Sequence, residues 1–175
     1  MADNIILIGF MGVGKGRVAR ALVERTGMMA IDTDDLIESM VNMKIRKIFR
    51  LHGESFFREL EQNTADWLRK NVSKTIVSTG GGFFKVKGLG KNDIIVYLHS
   101  SLENIVKEML GHPKAKKKIK KRPLLQDMKK AAELFDERLP LYRQVADIEI
   151  NVENMSEDEI AAKIIKKIKS RKKVK

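Results

Sequence analysis

The sequence contains no cysteine among its 175 residues, and it has no long apolar run. Without cysteine the chain has neither a disulfide framework nor a thiolate metal site. The longest apolar run near its start spans only a few residues and lacks a charged leader and a cleavage site, so we expect no signal peptide and no membrane span. Its three histidines show no mutual metal-ligand spacing. These absences favour a cytoplasmic protein without a membrane partner.

The net charge of +12 is unevenly distributed along the chain. Residues 114–122 carry seven positive charges and residues 163–175 carry eight, with no acid in either segment. The rest of the chain, with 20 basic and 23 acidic residues, is slightly negative. A basic tail can contact nucleic acid, but no aromatic platform accompanies it and the solvated end of a helix explains it. We therefore expect no nucleic-acid partner, and we interpret residues 114–122 as a cationic flap near bound phosphates.

Five short apolar runs alternate with longer helical patterns. The runs are NIILIGF, MMAIDTD, TIVSTGG, IIVYLH and DIEINV. Helices are predicted near 14–26, 35–42 and 54–71, and a last one opens at Ser156, which forms a capping box with Glu159. This alternation predicts one α/β domain, a three-layer sandwich in which helices cover both faces of a five-stranded parallel sheet. In such sheets ligands bind beyond the carboxyl ends of the strands.

The first of these strand ends carries the segment GFMGVGKGRVAR. A phosphate-binding loop has a glycine, any four residues, a second glycine, a lysine, and then a serine or threonine whose hydroxyl binds magnesium. Gly9, Gly14 and Lys15 fit this pattern, but Gly16 occupies the position of the hydroxyl. A structural glycine turn is the alternative, and the strand-loop-helix context favours phosphate binding.

Three carboxylates follow the second strand, in the segment DTDD. Capping of a helix explains one side chain, and we expect Asp34 or Thr33 in that role. The other acids suit a kinase, in which one carboxylate orients the water shell of magnesium and another accepts a proton from a substrate hydroxyl. Asp32, nearer the sheet, suits the metal, and Asp34 suits the substrate.

Further along the chain, arginines and bare backbone are typical of a site for a small carboxylate. Arg58 and Glu61 lie three residues apart on one predicted helix face and can pair. The alternative interpretation is an ordinary surface ion pair, which contributes little stability. Three consecutive glycines at 80–82 end the third strand and indicate close approach of a ligand to the backbone. Arg122 precedes a proline in KRPLL, and Arg138 lies in ERLPLY.

This ordered set of motifs resembles the shikimate kinase family over nearly the whole chain. The resemblance implies transfer of the γ-phosphoryl of ATP to the 3-hydroxyl of shikimate, a step towards chorismate and the aromatic amino acids, with Mg²⁺ as cofactor. It also implies a P-loop kinase fold like that of nucleoside monophosphate kinases, with the strand order 2-3-1-4-5. We expect ATP and shikimate as the ligands and a monomer as the assembly.

Carried over position by position, the resemblance assigns a role to each motif. Catalysis would involve Lys15, Asp34 and Arg122. ATP would be bound by Gly12, Val13, Gly14, Lys15, Gly16, Arg17 and Arg122. Shikimate would be bound by Asp34, Arg58, Gly80, Gly81, Gly82 and Arg138. Asp32 would hold magnesium through water. Residues 35–62 would form a substrate-binding subdomain with Phe49 and Phe57 as its apolar wall, and residues 112–125 would form a lid.

Two positions depart from the family pattern. Gly16 removes the direct protein ligand of the metal, and Arg17 stands where the family commonly has a small polar residue. The alternatives are a P-loop kinase of another small metabolite, such as gluconate or a nucleoside monophosphate, and a catalytically impaired nucleotide-binding protein. The substrate arginines favour shikimate over both. No arginine aligns with an adenine-stacking position, and we expect Trp67 in the core.

Overall fold

The structure, a computed structural model, describes residues 4–88, 93–111 and 127–173. In chain order its elements are β1 (Asn4–Ile8), α1 (Lys15–Thr26), β2 (Met29–Asp32), α2 (Thr33–Met40), α3 (Ile45–Asn71), β3 (Thr75–Ser78), a 3₁₀ turn (Phe83–Lys85), β4 (Ile94–His99), α4 (Leu102–Leu110), α5 (Met128–Val145), β5 (Ile148–Asn151) and α6 (Glu157–Lys173).

The five strands form one parallel sheet in the order β2-β3-β1-β4-β5, which confirms the predicted topology. β1 lies at the centre, and all five of its residues are buried because helices cover both faces of the sheet. Such two-sided burial explains why the strand is a continuous apolar run rather than an alternating one. The topology brings the carboxyl ends of β1, β2 and β3 to one edge of the sheet.

Local sequence signals account for the end of α1 and for the start of α6. α1 ends at Gly27, which adopts φ 69° and donates its N–H to Val23 O. α6 opens with the predicted capping box, in which the Ser156 hydroxyl accepts the Glu159 N–H while the Glu159 carboxylate accepts the Ser156 N–H. Such boxes satisfy helix N–H groups that have no partner within the helix.

α3 consists of two helical segments joined at Gly53, whose φ of 79° and ψ of 179° are not helical. The sequence predicted only the second segment. The first segment packs with α2 around a small apolar cluster of Ile37, Ile48, Phe57 and Leu60, which is separate from the main core. The bend at Gly53 therefore lets the first segment of α3 pack against α2 instead of continuing the axis of the second segment.

The prediction that Trp67 lies in the core is wrong, because this residue is 47% exposed. Leu68, four residues after the buried Thr64, takes the inward position on α3 and is only 4% exposed. One helical step of about 100° places Trp67 at the edge of the buried face. Within the residues that the structure describes, no helix is long and apolar enough to cross a membrane.

Candidate active site

The loops that follow β1, β2 and β3 meet around a cavity of about 340 Å³ at the carboxyl edge of the sheet. This is where ligands bind in open α/β sheets. The lining residues are Met11, Gly12, Gly14, Lys15, Gly16, Arg17, Arg20, Asp32, Asp34, Ser78, Thr79, Gly80, Gly81, Glu108 and Met109. Most of the residues that the sequence predicted for phosphate and metal binding thus line one cavity.

The glycine loop after β1 is held in a conformation that side chains would prevent. Gly9, Gly12 and Gly14 have φ values of 144°, 89° and 102°. A Cβ atom on Gly9 would lie 2.6 Å from Leu98 O. Gly14 precedes the first residue of α1, so the partly positive N-terminus of this helix lies at the cavity. The loop is therefore built to receive an anion.

Lys15 is the first residue of α1 and is buried beneath the glycine loop. Its ammonium donates to Gly9 O at 2.7 Å and to Phe10 O at 3.1 Å. The charge of Lys15 also acts on Asp34 across the cavity, where it opposes the rise of that carboxyl's pKa. A cation and an acid thus face the same space.

Gly16 leaves an open surface where the common loop pattern has a hydroxyl. A Cβ atom there would have Arg20 Nη1 as its nearest neighbour, at 4.0 Å. The neighbouring Arg17 pairs with Glu108 of α4 and Glu157 of α6, each at 2.9 Å. The site therefore has room for a serine at position 16, but Gly16 itself offers no side-chain oxygen to a metal ion.

The residue that caps α2 is Asp32, not Asp34 or Thr33 as predicted. Asp32 is the last residue of β2 and keeps an extended conformation, so its Oδ1 accepts the N–H groups of Asp34 at 2.9 Å and Asp35 at 3.4 Å. Thr33 and Asp34 are already helical. Oδ2 of Asp32 accepts the Ser78 hydroxyl at 2.7 Å. Asp32 is thus fixed at the cavity, and capping leaves the Asp34 carboxylate available for other contacts.

Each of the three consecutive glycines lies against one charged side chain. A Cβ atom on Gly80 would lie 2.5 Å from Asp34 Oδ1, and one on Gly82 would overlap the Arg58 guanidinium. At Gly81 the nearest atom would be Arg138 Nη1, at 3.4 Å. The absence of side chains therefore lets one acid and two arginines, from three different helices, approach the same stretch of backbone.

Arg58 is held by two acids of its own helix. Its Nη1 pairs with Glu61 at 2.5 Å, which confirms the predicted pair, and its Nη2 pairs with Glu54 at 2.6 Å. The Glu61 side chain is 1% exposed, so this is not the surface ion pair of the alternative interpretation. Removing one member of a buried pair costs about 3–5 kcal/mol.

Arg138 reaches the triple glycine from α5. It is 6% exposed, and its Nη1 donates to Gly81 O at 3.0 Å. Tyr142, one turn further along α5, donates its hydroxyl to the same oxygen at 2.6 Å. Sequence reasoning missed Tyr142, although its spacing of four residues from Arg138 places both on one helix face.

Three buried side-chain atoms in the described part of the chain have no hydrogen-bond partner. They are Asp34 Oδ1, Glu61 Oε1 and Arg138 Nε. All three belong to residues around the triple glycine. Native proteins rarely leave buried polar atoms unpaired, and each such atom points to strain or to a missing partner. Their clustering makes this region a candidate site for a polar ligand.

Burial and like charges disfavour ionisation of the acids at this site. Burial, followed by the neighbouring Asp32 carboxylate, raises the pKa of Asp34 to about 7. Burial also raises the pKa of Glu61, while its ion pair with Arg58 opposes the rise. A carboxyl group that titrates near neutral pH can both accept and release a proton under working conditions.

A second cavity of about 370 Å³ adjoins the glycine loop on the side of β5 and α6. Its lining residues are Val13, Gly14, Arg17, Val18, Glu108, Gly111, Val152, Met155, Glu157 and Ile160. Gly14, Arg17 and Glu108 line both cavities. No pattern in the sequence pointed to Val152 and Met155, because a short apolar segment after a strand is common in any α/β protein.

Two predicted features lie outside the described residues. They are the lid at 112–125 and Arg122 within it. Phe49 and Phe57 form a ring contact with centroids 4.8 Å apart in the small apolar cluster region. Phe57 is buried and Phe49 is 38% exposed, so only the latter presents much apolar surface.

Comparison with known proteins identifies the relatives of this chain. A family model described as shikimate kinase matches residues 11–169. The chain is 39% identical over 173 residues to a shikimate kinase of Sulfurihydrogenibium sp. (strain YO3AOP1), covering 96% of this chain and 99% of that protein. It is 36% identical over 163 residues to a shikimate kinase of Helicobacter hepaticus, covering 93% and 94%.

Solved structures give the same result. Shikimate kinase from Acinetobacter baumannii in complex with shikimate superposes with a TM-score of 0.83 at 32% identity, covering 98% of this chain and 96% of that one. Shikimate kinase from Aquifex aeolicus has a TM-score of 0.75 at 26% identity, with coverage of 96% and 97%. The similarity therefore extends over nearly the whole chain.

Proposed function

This chain belongs to the shikimate kinase family, and we propose how its residues divide the work of the family's reaction. The activity is that of an ATP-dependent phosphotransferase, which transfers the γ-phosphoryl of ATP to shikimate. The observation that carries the assignment of residues is the cluster of unpaired buried atoms on Asp34, Glu61 and Arg138. A small carboxylate with several hydroxyl groups supplies the acceptors and donors that these atoms lack.

ATP binds with its phosphates over the glycine loop. The backbone from Gly12 to Arg17 and the N-terminus of α1 receive the phosphate oxygens, as in other anion sites at helix ends. Lys15 exchanges its contacts with Gly9 O and Phe10 O for the terminal phosphates, because a charged acceptor makes the stronger hydrogen bond. The adjoining cavity beside Val152 and Met155 takes the nucleoside.

Shikimate binds against the triple glycine. Arg58 and Arg138 hold its carboxylate, and the backbone of Gly80, Gly81 and Gly82 supports it at close range. Arg138 Nε, which has no partner among the described residues, gains an acceptor in this arrangement. The acids around Arg58 keep its guanidinium oriented towards Gly82 before the substrate arrives.

Asp34 accepts the proton of the substrate hydroxyl that attacks the phosphorus. Its Oδ1 is unpaired and adjoins Gly80, and its pKa of about 7 matches the task of a group that takes up a proton near neutral pH. Positioning and charge neutralisation supply most of the catalysis in phosphoryl transfer. Proton acceptance by Asp34 therefore has to supply only a small part of the rate enhancement of phosphoryl transfer.

Magnesium is the cofactor in this proposal, and the residues present fit it as a largely hydrated ion. Within the described ranges no cluster of three histidines or acids could hold a metal by itself. Asp32 is fixed by its contacts with Ser78 and the start of α2, and its oxygens retain capacity to accept hydrogen bonds from water bound to the ion. When bound, magnesium neutralises phosphate charge during transfer.

The remaining assignments rest on the sequence and on the small apolar cluster. Residues 35–62 form the substrate-binding subdomain, which the separate cluster around Ile48 supports. Residues 112–125 form the lid, and Arg122 contacts the transferred phosphoryl group. We assign the protein to the cytoplasm as a monomer. The similarity to shikimate kinases and the retained arginines disfavour a kinase of gluconate or of a nucleoside monophosphate.

The test is ADP release from ATP with and without shikimate, in the presence of magnesium. Arg138→Ala and Arg138→Lys should weaken shikimate binding, and the alanine variant by about 1.5–3 kcal/mol, the usual value for a hydrogen bond to a charged group. Binding of ADP should be unchanged. Arg143→Ala is the matched control, because Arg143 lies on the same helix but pairs with the partly exposed Glu149 outside the cavity.

Two outcomes would contradict the proposal. Release of ADP that does not depend on shikimate would contradict the activity. Unchanged shikimate affinity in both Arg138 variants, measured by calorimetry, would contradict the assignment of the substrate to the triple glycine.

A further inference from the structure

Arg17 lies at the boundary between the two cavities and lines both of them. Its side chain is 41% exposed, so the guanidinium is accessible from the cavities. It also lies against the glycine loop, because a Cβ atom on Gly14 would be 3.2 Å from Arg17 Nη2. A ligand that spans both cavities must therefore pass this guanidinium.

Two acids hold Arg17 at this boundary. Glu108 of α4 and Glu157 of α6 each pair with one guanidinium nitrogen at 2.9 Å. Glu108 lines both cavities and Glu157 lines the second one. The boundary thus carries two carboxylates for one cation, which disfavours an approaching phosphate as long as the arginine stays with the acids.

These pairs are suited to exchange. All three side chains are about two-fifths exposed, and ion pairs of this exposure contribute little stability. A phosphate group accepts two parallel hydrogen bonds from a guanidinium, which is stronger than a single contact with each glutamate.

We propose that Arg17 is a nucleotide-binding residue that exchanges its two glutamate partners for the phosphates linking the nucleoside to the transferred group. This rests on the proposed function, which brings a nucleotide across the two cavities. The arginine supplies fixed positive charge next to Gly16, where the chain lacks the hydroxyl of the common loop pattern. The alternative is a permanent clasp, in which Arg17 only ties α1 to α4 and α6 and neutralises their acids.

A double-mutant cycle separates the two roles. ADP binding is measured by calorimetry in excess EDTA, so that no metal contributes, in four proteins: the unaltered chain, Arg17→Thr, Glu108→Gln with Glu157→Gln, and all three changes together. Exchange predicts that the glutamine pair tightens ADP binding about fourfold or more. It also predicts that Arg17→Thr weakens ADP binding about fivefold in the unaltered background and about 20-fold in the glutamine background.

The permanent clasp predicts the opposite sign of coupling. There Arg17→Thr leaves two acids without a counter-charge, so its effect is largest in the unaltered background and small once the acids are glutamines. Equal effects in both backgrounds, or weaker ADP binding by the glutamine pair alone, would likewise overturn the proposal. Arg17→Lys keeps the charge without the two-pronged geometry and should weaken ADP binding by an intermediate factor.

Arg25→Thr is the matched control. Arg25 lies on the same helix and pairs with Asp158 of α6, but it lines neither cavity. Its loss should leave ADP affinity unchanged, and a fall equal to that of Arg17→Thr would count against the proposal. No ADP binding by the unaltered chain would overturn the exchange and the proposed function together, whereas normal turnover with the clasp's sign of coupling would overturn only the exchange.

Discussion

Replacing Asp34 by asparagine should stabilise the ligand-free protein at alkaline pH while removing its activity. The wild-type carboxyl group is held in a position where ionisation is unfavourable, because its Oδ1 is buried without a partner and Asp32 is close. Asparagine keeps the size of the side chain and removes the charge. The substitution therefore tests whether this position is arranged for proton transfer at the expense of stability.

The magnitude follows from the pKa of about 7, compared with an ordinary value of 3.8. A tenfold change in proton affinity corresponds to about 1.4 kcal/mol, so the ionised group destabilises the fold by about 4 kcal/mol at most. The variant also loses a favourable charge in the first turn of α2, a loss of about 0.3–1 kcal/mol. Imperfect pairing of the new amide reduces the gain further, and we expect a net stabilisation of about 1–3 kcal/mol at pH 8.

The pH dependence gives the effect a signature. The folded-state pKa of Asp34 is raised, so the folded protein binds its proton more tightly than the unfolded chain does. Its contribution to stability is complete below about pH 4 and is lost as the pH rises to about 7. The difference in unfolding free energy between Asp34→Asn and the unaltered protein should therefore grow from pH 4 to pH 7 and then become constant.

The assay is urea unfolding at several pH values between 4 and 8 without ligands, with turnover measured alongside. Asp35→Asn is the matched control, because Asp35 also lies in the first turn of α2 but is exposed. Its loss should cost a few tenths of a kcal/mol at every pH, as expected for an exposed charge at a helix end. An Asp34→Asn protein that is less stable than the unaltered one at pH 8, or a difference independent of pH, would refute the reasoning.

Two glycine substitutions give further predictions. Gly80→Ala should lower turnover about 100-fold or more and leave ADP binding intact, because its Cβ would lie 2.5 Å from Asp34 Oδ1 and displace the proton acceptor; turnover within a factor of three of the unaltered enzyme would contradict this. Gly16→Ser should fold normally, since its Cβ would have no neighbour closer than 4.0 Å, and should reach half-maximal turnover at a lower magnesium concentration. A water in place of the hydroxyl costs about 0–2 kcal/mol, so we expect the unaltered chain to be active. An inactive unaltered chain whose turnover is restored by Gly16→Ser would show instead that the glycine silences the enzyme.

The sequence alone determined the elements of the fold and the position of the glycine loop. The five apolar runs became the five strands, and Ser156 and Glu159 formed the capping box, because these signals depend on residues that are close in the chain. The pairing of Arg58 with Glu61 followed from their spacing on one helix for the same reason. Strand order was predicted from the resemblance to a family and not from local patterns.

Only the tertiary structure decided which groups meet at the site. Arg138 and Gly81 are 57 residues apart in sequence, and Ser78 and Asp32 are 46 apart, yet each pair forms a hydrogen bond. The choice of Asp32 as the cap of α2 depended on where β2 ends, and this left Asp34 Oδ1 buried and unpaired beside Gly80. The pKa of a carboxyl group depends on such burial and on neighbours brought together by folding. The segment DTDD by itself therefore did not predict that the pKa of Asp34 is raised to about 7.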